Sequence, residues 1–409
     1  MRVLLSTIGS RGDVQPLVAL ASQLRTLGQE VRLCVPPDFC DWIEGLGMPV
    51  TPIGPDLRKA TSASVPAKPA PLSAEQRRQM IEGTVATQFE TIAAAAQGCD
   101  IIVGATALQI AAPSIAEKMG IPYVFAAYCP IVLPSPHHAP PPLSMAGQTP
   151  APATADNRAL WDQHAEHTNS MWGPPLNTHR AAIGLAPIGD VRGYIFTGRP
   201  WLAADPALGP WPDPGDRAVL QTGAWILPDD RPLLPELEAF LDAGEPPVYF
   251  GFGSMRAPQD LSLVMIQTAR ALERRAIVSR GWADLSRVDH EPDCLVIGEV
   301  NQQALFTRVA AVVHHGGAGT TTIAARAGAP QVVIPQMYDQ HYWAQRVHDL
   351  GIGTAHAAGT PTTESLTSAL EQTLQRDVAA RAQSMAAAVR TDGAQVAAER
   401  LIGEGPVGR

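Results

Sequence analysis

The residues with the most chemical content lie in 311–335, AVVHHGGAGTTTIAARAGAPQVVIP. Residues 311–313 are small and apolar, as a buried parallel strand should be. Gly316, Gly317 and Gly319 follow, where a backbone without Cβ atoms can turn tightly and approach a ligand. The pattern predicts a helix over 320–327, whose unpaired N-terminal amides and positive dipole end would face that turn. Strand, turn and helix start, with Ala318 and Thr320 between them, form a cradle for a diphosphate, and His314 and His315 add ring donors beside it. After a second apolar run, 331–334, come Asp339 and Gln340, at the strand edge where open α/β sheets bind ligands. A carboxylate beside an amide suits sugar hydroxyls. A glycine turn alone is also an ordinary strand-to-helix connection, so the reading depends on what surrounds it.

The elements that must position these groups alternate between strand and helix. Runs 2–7, 31–35, 50–53, 100–103 and 123–126 read as strands, and 14–27, 39–46, 74–96 and 111–119 as helices. Stretches 160–173 and 176–183 look helical and are parted by Pro174 and Pro175. The second half repeats the style with strands at 248–252, 276–279, 294–297, 311–313 and 331–334, then two or more Ala-rich helices over 363–401. The fold class is α/β, with doubly wound sheets. At 409 residues the chain exceeds one ordinary core, so two domains are expected. We assign 1–205 to the first, 206–230 to a linker rich in Pro, Gly and Asp, 231–385 to the second, and 386–409 to a closing helix. Residues 58–71, rich in Ala, Ser, Pro and Lys, break the rhythm, and 130–152, with eight prolines, reads as either a binding loop or a disordered one; both stretches would shape an acceptor pocket.

Composition narrows the partners. A formal charge of -9 argues against nucleic acid or an anionic membrane and leaves small molecules. No apolar run reaches the roughly 20 residues of a bilayer span, and the first strand begins without a signal-peptide pattern, so a cytoplasmic location is expected. Cys34, Cys40, Cys99, Cys129 and Cys294 contain no C-x-x-C pair and read as buried thiols.

The run from His314 to Thr321, His-His-Gly-Gly-Ala-Gly-Thr-Thr, followed by Asp339-Gln340, is similar to the nucleotide-sugar signature of inverting family 1 glycosyltransferases with the GT-B fold. The segments Ser6-Thr7-Ile8-Gly9-Ser10-Arg11-Gly12-Asp13-Val14, Thr222-Gly223-Ala224-Trp225, Gly251-Phe252-Gly253-Ser254, Ser279-Arg280-Gly281-Trp282 and Gly298-Glu299-Val300-Asn301 resemble the vancomycin-group aglycone glycosyltransferases. Tyr128-Cys129-Pro130 with Pro134-Ser135-Pro136 is similar to the glucosyltransferase members of that group.

The resemblance implies two Rossmann-like domains facing one cleft, with the acceptor in the N-terminal half and the donor in the C-terminal half. The donor it implies is UDP-glucose or dTDP-glucose, and the acceptor a phenolic hydroxyl of a glycopeptide aglycone; an ansamycin, macrolide, polyketide or sterol-like alcohol is the alternative. It makes Asp13 the base, with Ser10 beside it, and His314 the diphosphate contact. It also implies a second phosphate contact at Gly253-Ser254, and a nucleoside site of Arg280, Trp282, Val300 and Gln303 in which the Val300 backbone reads the base. No cofactor is required, and no D-x-D pair is present to hold a metal. The expected state is a monomer or weak dimer.

Plainer readings stand beside these. Asp13 fits a helix N-cap, worth about 0.5–2 kcal/mol and no chemistry. His314 and His315 could be core histidines; on a strand they point to opposite faces, which disfavours one shared metal. His137, His138, Trp161, His164, His167 and Trp172 either line an aromatic acceptor pocket or anchor a loose loop. A catalytically silent GT-B relative and a two-domain sugar-nucleotide epimerase share the architecture.

Overall fold

Strands that are apolar on both faces demand cover on both sides, and helical crossovers between parallel strands supply it. The computed structural model describes residues 1–61, 73–106, 108–141, 156–212, 218–255, 260–286 and 289–403. Its first sheet holds β1 (Arg2–Thr7), β2 (Glu30–Val35), β3 (Val50–Pro52), β4 (Ile101–Ala105), β5 (Tyr123–Ala127), β6 (Trp201–Leu202) and β7 (Leu220–Gln221). The order is β3-β2-β1-β4-β5-β6-β7, every neighbour parallel. The second holds β8 (Val248–Gly251), β9 (Ala276–Ser279), β10 (Cys294–Ile297), β11 (Ala311–His314), β12 (Gln331–Val333) and β13 (Gly353–Ala355). Its order is β10-β9-β8-β11-β12-β13, again parallel throughout.

Both sheets are doubly wound, and both reverse winding direction at one place: between β1 and β4, and between β8 and β11. Ligands of such sheets bind outside the carboxyl ends at that reversal. Asp13 follows β1, Ser254 follows β8, and the 315–320 turn follows β11, so the sites lie where the topology opens a crevice. Side chains of β1 alternate between two cores: Leu4 packs with Ile102 and Phe125, while Val3 and Leu5 pack with Val14, Leu17 and Val103.

Several elements differ from the sequence reading. Residues 160–173 and 176–183 form one helix, Asn157–Ala182, with Pro174 and Pro175 inside it. Those prolines remove two N–H donors, yet both halves are anchored. Trp161 is buried in the first half; in the second, buried Arg180 donates to Ser114, Glu117, Tyr194 and the Ala186 carbonyl. Tertiary contacts on both sides outweigh the local break. The stretch 206–230, read as linker, contains β7, and β6 precedes it; short strands among Pro and Gly carry too little periodicity to be seen. The first helix begins at Arg11 rather than at Val14, and β13 was not anticipated. Residues 62–72 and 142–152 of the expected loops lie outside the described residues.

The final helix, Gly393–Gly403, packs on the helix Arg11–Thr26, with Ala394, Ala397, Ala398 and Leu401 in the core of the first sheet. Its seat is tight. A Cβ on Gly393 would stand 2.4 Å from the Ala224 carbonyl oxygen and 2.5 Å from Gly223 C. Gly223 itself holds φ +93°, a conformation that disfavours side chains. Gly393→Ala is therefore expected to destabilise the protein by about 1–3 kcal/mol through forced backbone displacement. Thermal unfolding would show this as a lowered Tm, and an unchanged Tm would refute the seating.

Candidate active site

On the first domain, the helix Arg11–Thr26 starts directly after the β1 turn, with Ser10 as its N-cap. Asp13 is thus not the cap but the third helical residue, and its side chain folds back. Asp13 Oδ2 accepts from the Ser10 N–H at 2.6 Å and the Ser10 hydroxyl at 3.2 Å. Gly9 makes room for this: a Cβ there would lie 2.2 Å from Asp13 Oδ2. The Tyr128 hydroxyl donates to the Asp13 carbonyl at 3.0 Å and steadies the turn from β5. Burial pushes the Asp13 carboxyl up to about 6, against the Ser10 bonds that pull it down.

On the second domain, His314 ends β11 fully buried. Its Nδ1 accepts from the Gly316 N–H at 3.1 Å and its Nε2 pairs with Gln331 Oε1 at 2.9 Å. Both ring nitrogens are engaged by the protein, whereas the resemblance implied a diphosphate contact through His314. The strand alternation that sends His314 into the core sends His315 outward. The His315 ring stands between two glycine turns: Nε2 is 2.6 Å from a Cβ position on Gly317, and Cε1 3.4 Å from one on Gly253. Its Nδ1 is buried and lacks a protein partner. Burial lowers His314 to about 3 and His315 to about 4, so both rings are neutral near pH 7.

Gly316 holds φ +91°, and a Cβ on it would meet Val333 Cγ1 at 2.7 Å, so the turn requires glycine. Gly317 caps the helix Ala318–Arg326. The N–H groups of Ala318, Gly319 and Thr320 find no protein acceptor among the described residues and face outward. The opposing turn, with Gly253 and Ser254, follows β8. It packs on the next one, where the Trp282 N–H donates to the Gly253 carbonyl at 2.9 Å.

Asp339 and Gln340 have separate fates. Gln340 is buried, and its Oε1 accepts from the N–H groups of Gln336 and Met337 at 2.8 and 3.2 Å. Its Oε1 holds the turn after β12, while its Nε2 faces Met255 Sδ at 3.5 Å. Asp339 is half-buried and accepts from Trp343 Nε1 at 3.2 Å. Burial and then the negative charge of Asp13 raise its carboxyl to about 7. The two carboxylates, one after β1 of the first sheet and one after β12 of the second, thus lie close enough for charge to act between them.

Of the residues the resemblance placed at the nucleoside, Gln303 Nε2 donates to the Leu227 carbonyl at 2.8 Å, and the Trp282 ring stacks on Phe39 of the first domain, centroids 6.2 Å apart at 23°. Arg280 is exposed at the mouth, and the Val300 peptide groups have no partner among the described residues.

Of the aromatic candidates, Trp161 donates to the His138 carbonyl at 2.9 Å and His138 pairs with the Leu133 carbonyl at 2.8 Å. His164 packs against the Trp161 ring. These anchor the loop after β5, while His137 and His167 are exposed and Trp172 packs on the core. Two residues of the cleft were missed. Tyr338 holds φ +52°, invisible in sequence, and Trp343 lies one helical turn beyond Asp339, an i,i+4 spacing that could have flagged it. Among the described residues no cluster of three metal-ligating side chains occurs, and no helix is long and apolar enough to cross a membrane.

Comparison with known proteins agrees with this architecture. A model of the glycosyltransferase family 28 N-terminal domain matches residues 3–134, and one of the erythromycin biosynthesis protein CIII-like C-terminal domain matches 264–399. The chain is 53% identical over 404 residues to glycosyltransferase GtfE of Amycolatopsis orientalis, covering 98% of this chain and 97% of that one. It is 52% identical, with the same coverage, to the vancomycin aglycone glucosyltransferase of that organism. It is 44% identical to the organism's dTDP-epi-vancosaminyltransferase, covering 94% and 93%. Among solved structures, the glycotransferase of kitacinnamycin superposes with a TM-score of 0.73 at 19% identity, covering 99% of each chain. Glycosyltransferase VinC in complex with DTDP gives 0.65 at 21%, covering 99% of this chain and 100% of that one. With about half its residues shared along nearly the whole chain, and with two doubly wound domains of the same fold, the protein belongs to the GT-B glycosyltransferases of the vancomycin glycopeptide group.

Proposed function

We propose that this glycosyltransferase moves a hexose from a nucleoside diphosphate sugar to a phenolic hydroxyl of a glycopeptide aglycone, with inversion at the anomeric carbon. The observation that carries the mechanism is the Asp13 carboxylate, raised to about 6 and held by Ser10 at the rim of the first domain. A carboxylate of that basicity takes a proton near neutral pH. As the acceptor oxygen attacks C1, its proton passes to Asp13, the C1–O bond to the diphosphate breaks, and the nucleoside diphosphate leaves. An α-linked donor then gives a β-glycoside.

The leaving group gathers negative charge, and the second domain meets it with the amides of Ala318, Gly319 and Thr320 at the start of the helix Ala318–Arg326, and with the His315 ring. Ser254 and the Gly253 turn approach from the other side. We assign His315, rather than His314, to the diphosphate, because its Nδ1 is unpartnered and its ring lies between the two turns. Asp339 takes sugar hydroxyls, and Val300 and Arg280 the nucleoside. A phenol, with a pKa near 10, places a lighter demand on the base than an aliphatic alcohol.

The relatives' names support a glycopeptide acceptor, one of them naming glucose and another a dTDP-linked amino sugar. Glucose from UDP or dTDP is our choice. Mass spectrometry of reactions pairing UDP-glucose and dTDP-glucose with a vancomycin-type aglycone, a rifamycin, a macrolide and a flavonoid tests this. A hexose adduct on the aglycone alone, persisting in EDTA, is expected. Products only on other acceptors would discard the glycopeptide, and loss of product in EDTA would overturn the metal-free cradle.

Asp13→Asn is expected to lower kcat by roughly 10²–10⁴-fold with little change in nucleotide affinity. In the unmutated enzyme, activity should fall as pH drops through about 6, since the base must be ionised and protonation removes it. Near-normal turnover in the variant would reassign the base. For the diphosphate, calorimetry with UDP and dTDP should show His315→Ala binding roughly tenfold more weakly while His314→Gln keeps more of the affinity. The reverse order would return the contact to His314.

A further inference from the structure

Asp339 gains its one donor from another residue, among the described residues, at Trp343. The two lie at the start of the helix Gln340–Asp349, one turn apart on the same face. The indole is almost wholly buried, and its far end reaches the first domain. Trp343 Cη2 and Cζ3 stand 2.9 and 3.2 Å from where a Cβ on Gly209 would be, and Pro130 Cδ stands 3.4 Å from the same point. Pro130 begins the loop after β5, and Gly209 belongs to a turn tied to β7 through Gln221, whose Nε2 donates to the Gly209 carbonyl at 2.9 Å. The same helix touches that turn again, where Arg346 Nε donates to the Leu208 carbonyl at 2.7 Å.

We propose that Trp343 is a positioning residue that orients Asp339 for the donor sugar only when the two domains are seated together, its pyrrole N–H fixing the carboxylate while its benzo edge is fixed against Gly209. This rests on the reading of Asp339 as the sugar-binding carboxylate. An indole suits the task because its N–H and its far carbons lie at opposite ends of one rigid plane. Phenylalanine would fill the volume without the donor. The Asp13 charge disfavours the ionised form of this carboxylate, and the indole N–H favours it. The sugar subsite is thereby built from both domains, and the acceptor domain controls a donor contact it never makes itself.

Steady-state kinetics on Trp343→Phe, Gly209→Ala and Asp339→Asn, with calorimetry of UDP and dTDP as control, tests this. Gly209 has no left-handed backbone, so alanine there acts by pushing on the indole. Trp343→Phe and Gly209→Ala should each raise the KM for the nucleotide sugar roughly tenfold, the scale of one hydrogen bond to a charged group. The Kd for UDP and dTDP and the KM for the acceptor should stay within about twofold. A donor KM that responds to a change in the acceptor domain is an effect that simple loss of stability would not confine to the sugar. If Asp339→Asn raises the donor KM and the other two do not, the positioning role falls while the reading of Asp339 stands. If Asp339→Asn leaves the donor KM unchanged, that reading falls and the inference with it. Should Trp343→Phe fail to fold, Gly209→Ala decides the question alone.

Discussion

Two carboxylates drawn out of water into one cleft set the electrostatics around which this protein is built. Asp13 and Asp339 come from different sheets, and each is held above the ordinary carboxylate range by burial, with Asp13 adding its charge at Asp339. Unbalanced buried charge is costly, so each carboxylate needs fixed donors. Ser10 supplies two to Asp13, and Trp343 one to Asp339. Gly9, Tyr128 and Gly209 are the conditions for those donors to reach: Gly9 by leaving space, Tyr128 by pinning the turn, Gly209 by admitting the indole. The partial compensation leaves the Asp13 carboxyl at about 6, close to neutrality.

The opposite side of the cleft is arranged for negative charge without carrying full positive charge. Both histidines of the signature are kept neutral by burial, and they divide the labour. His314 locks the turn by accepting the Gly316 amide and pairing with Gln331, while His315 is left facing the space between two glycine turns. Gln340 closes the neighbouring turn in the same way. Fixed amide dipoles cost no reorganisation as charge develops. Several residues that carry the signature therefore act one step behind the surface, holding backbone amides in place.

Several contacts join the domains. Arg11 stacks over Trp42 at 3.7 Å and lies 3.8 Å from Glu299 on the second domain, two residues from Asp13 in sequence. Phe39 meets Trp282, and the backbone N–H of Arg390 donates to buried Asp205 at 2.8 Å as the chain returns. None is strong alone; an exposed ion pair contributes at most about 1 kcal/mol. Together with the returning helix Gly393–Gly403, they hold the carboxyl edges of two sheets face to face.

Much of this was legible in the residues. The apolar runs gave β1, β9 and β10 to the residue, since a strand buried on both faces leaves an unbroken apolar signature. Glycine turns after β8 and β11, and the carboxylate after β1, marked the crevice, because the switch point follows from strand order. The sequence did not reveal which neighbour each polar group would face. His314 and His315 are identical in composition and adjacent, and only the pairing of β11 with β8 and β12 decides which one is buried. Pro174 and Pro175 read as a break, yet buried anchors on both sides carry the helix through. By itself the sequence determined the secondary-structure rhythm and the chemical types gathered at the sheet edges, since both are local. Tertiary structure alone decided which donors reach Asp13 and Asp339, and so their basicity, because hydrogen bonds and burial depend on packing between segments far apart in the chain.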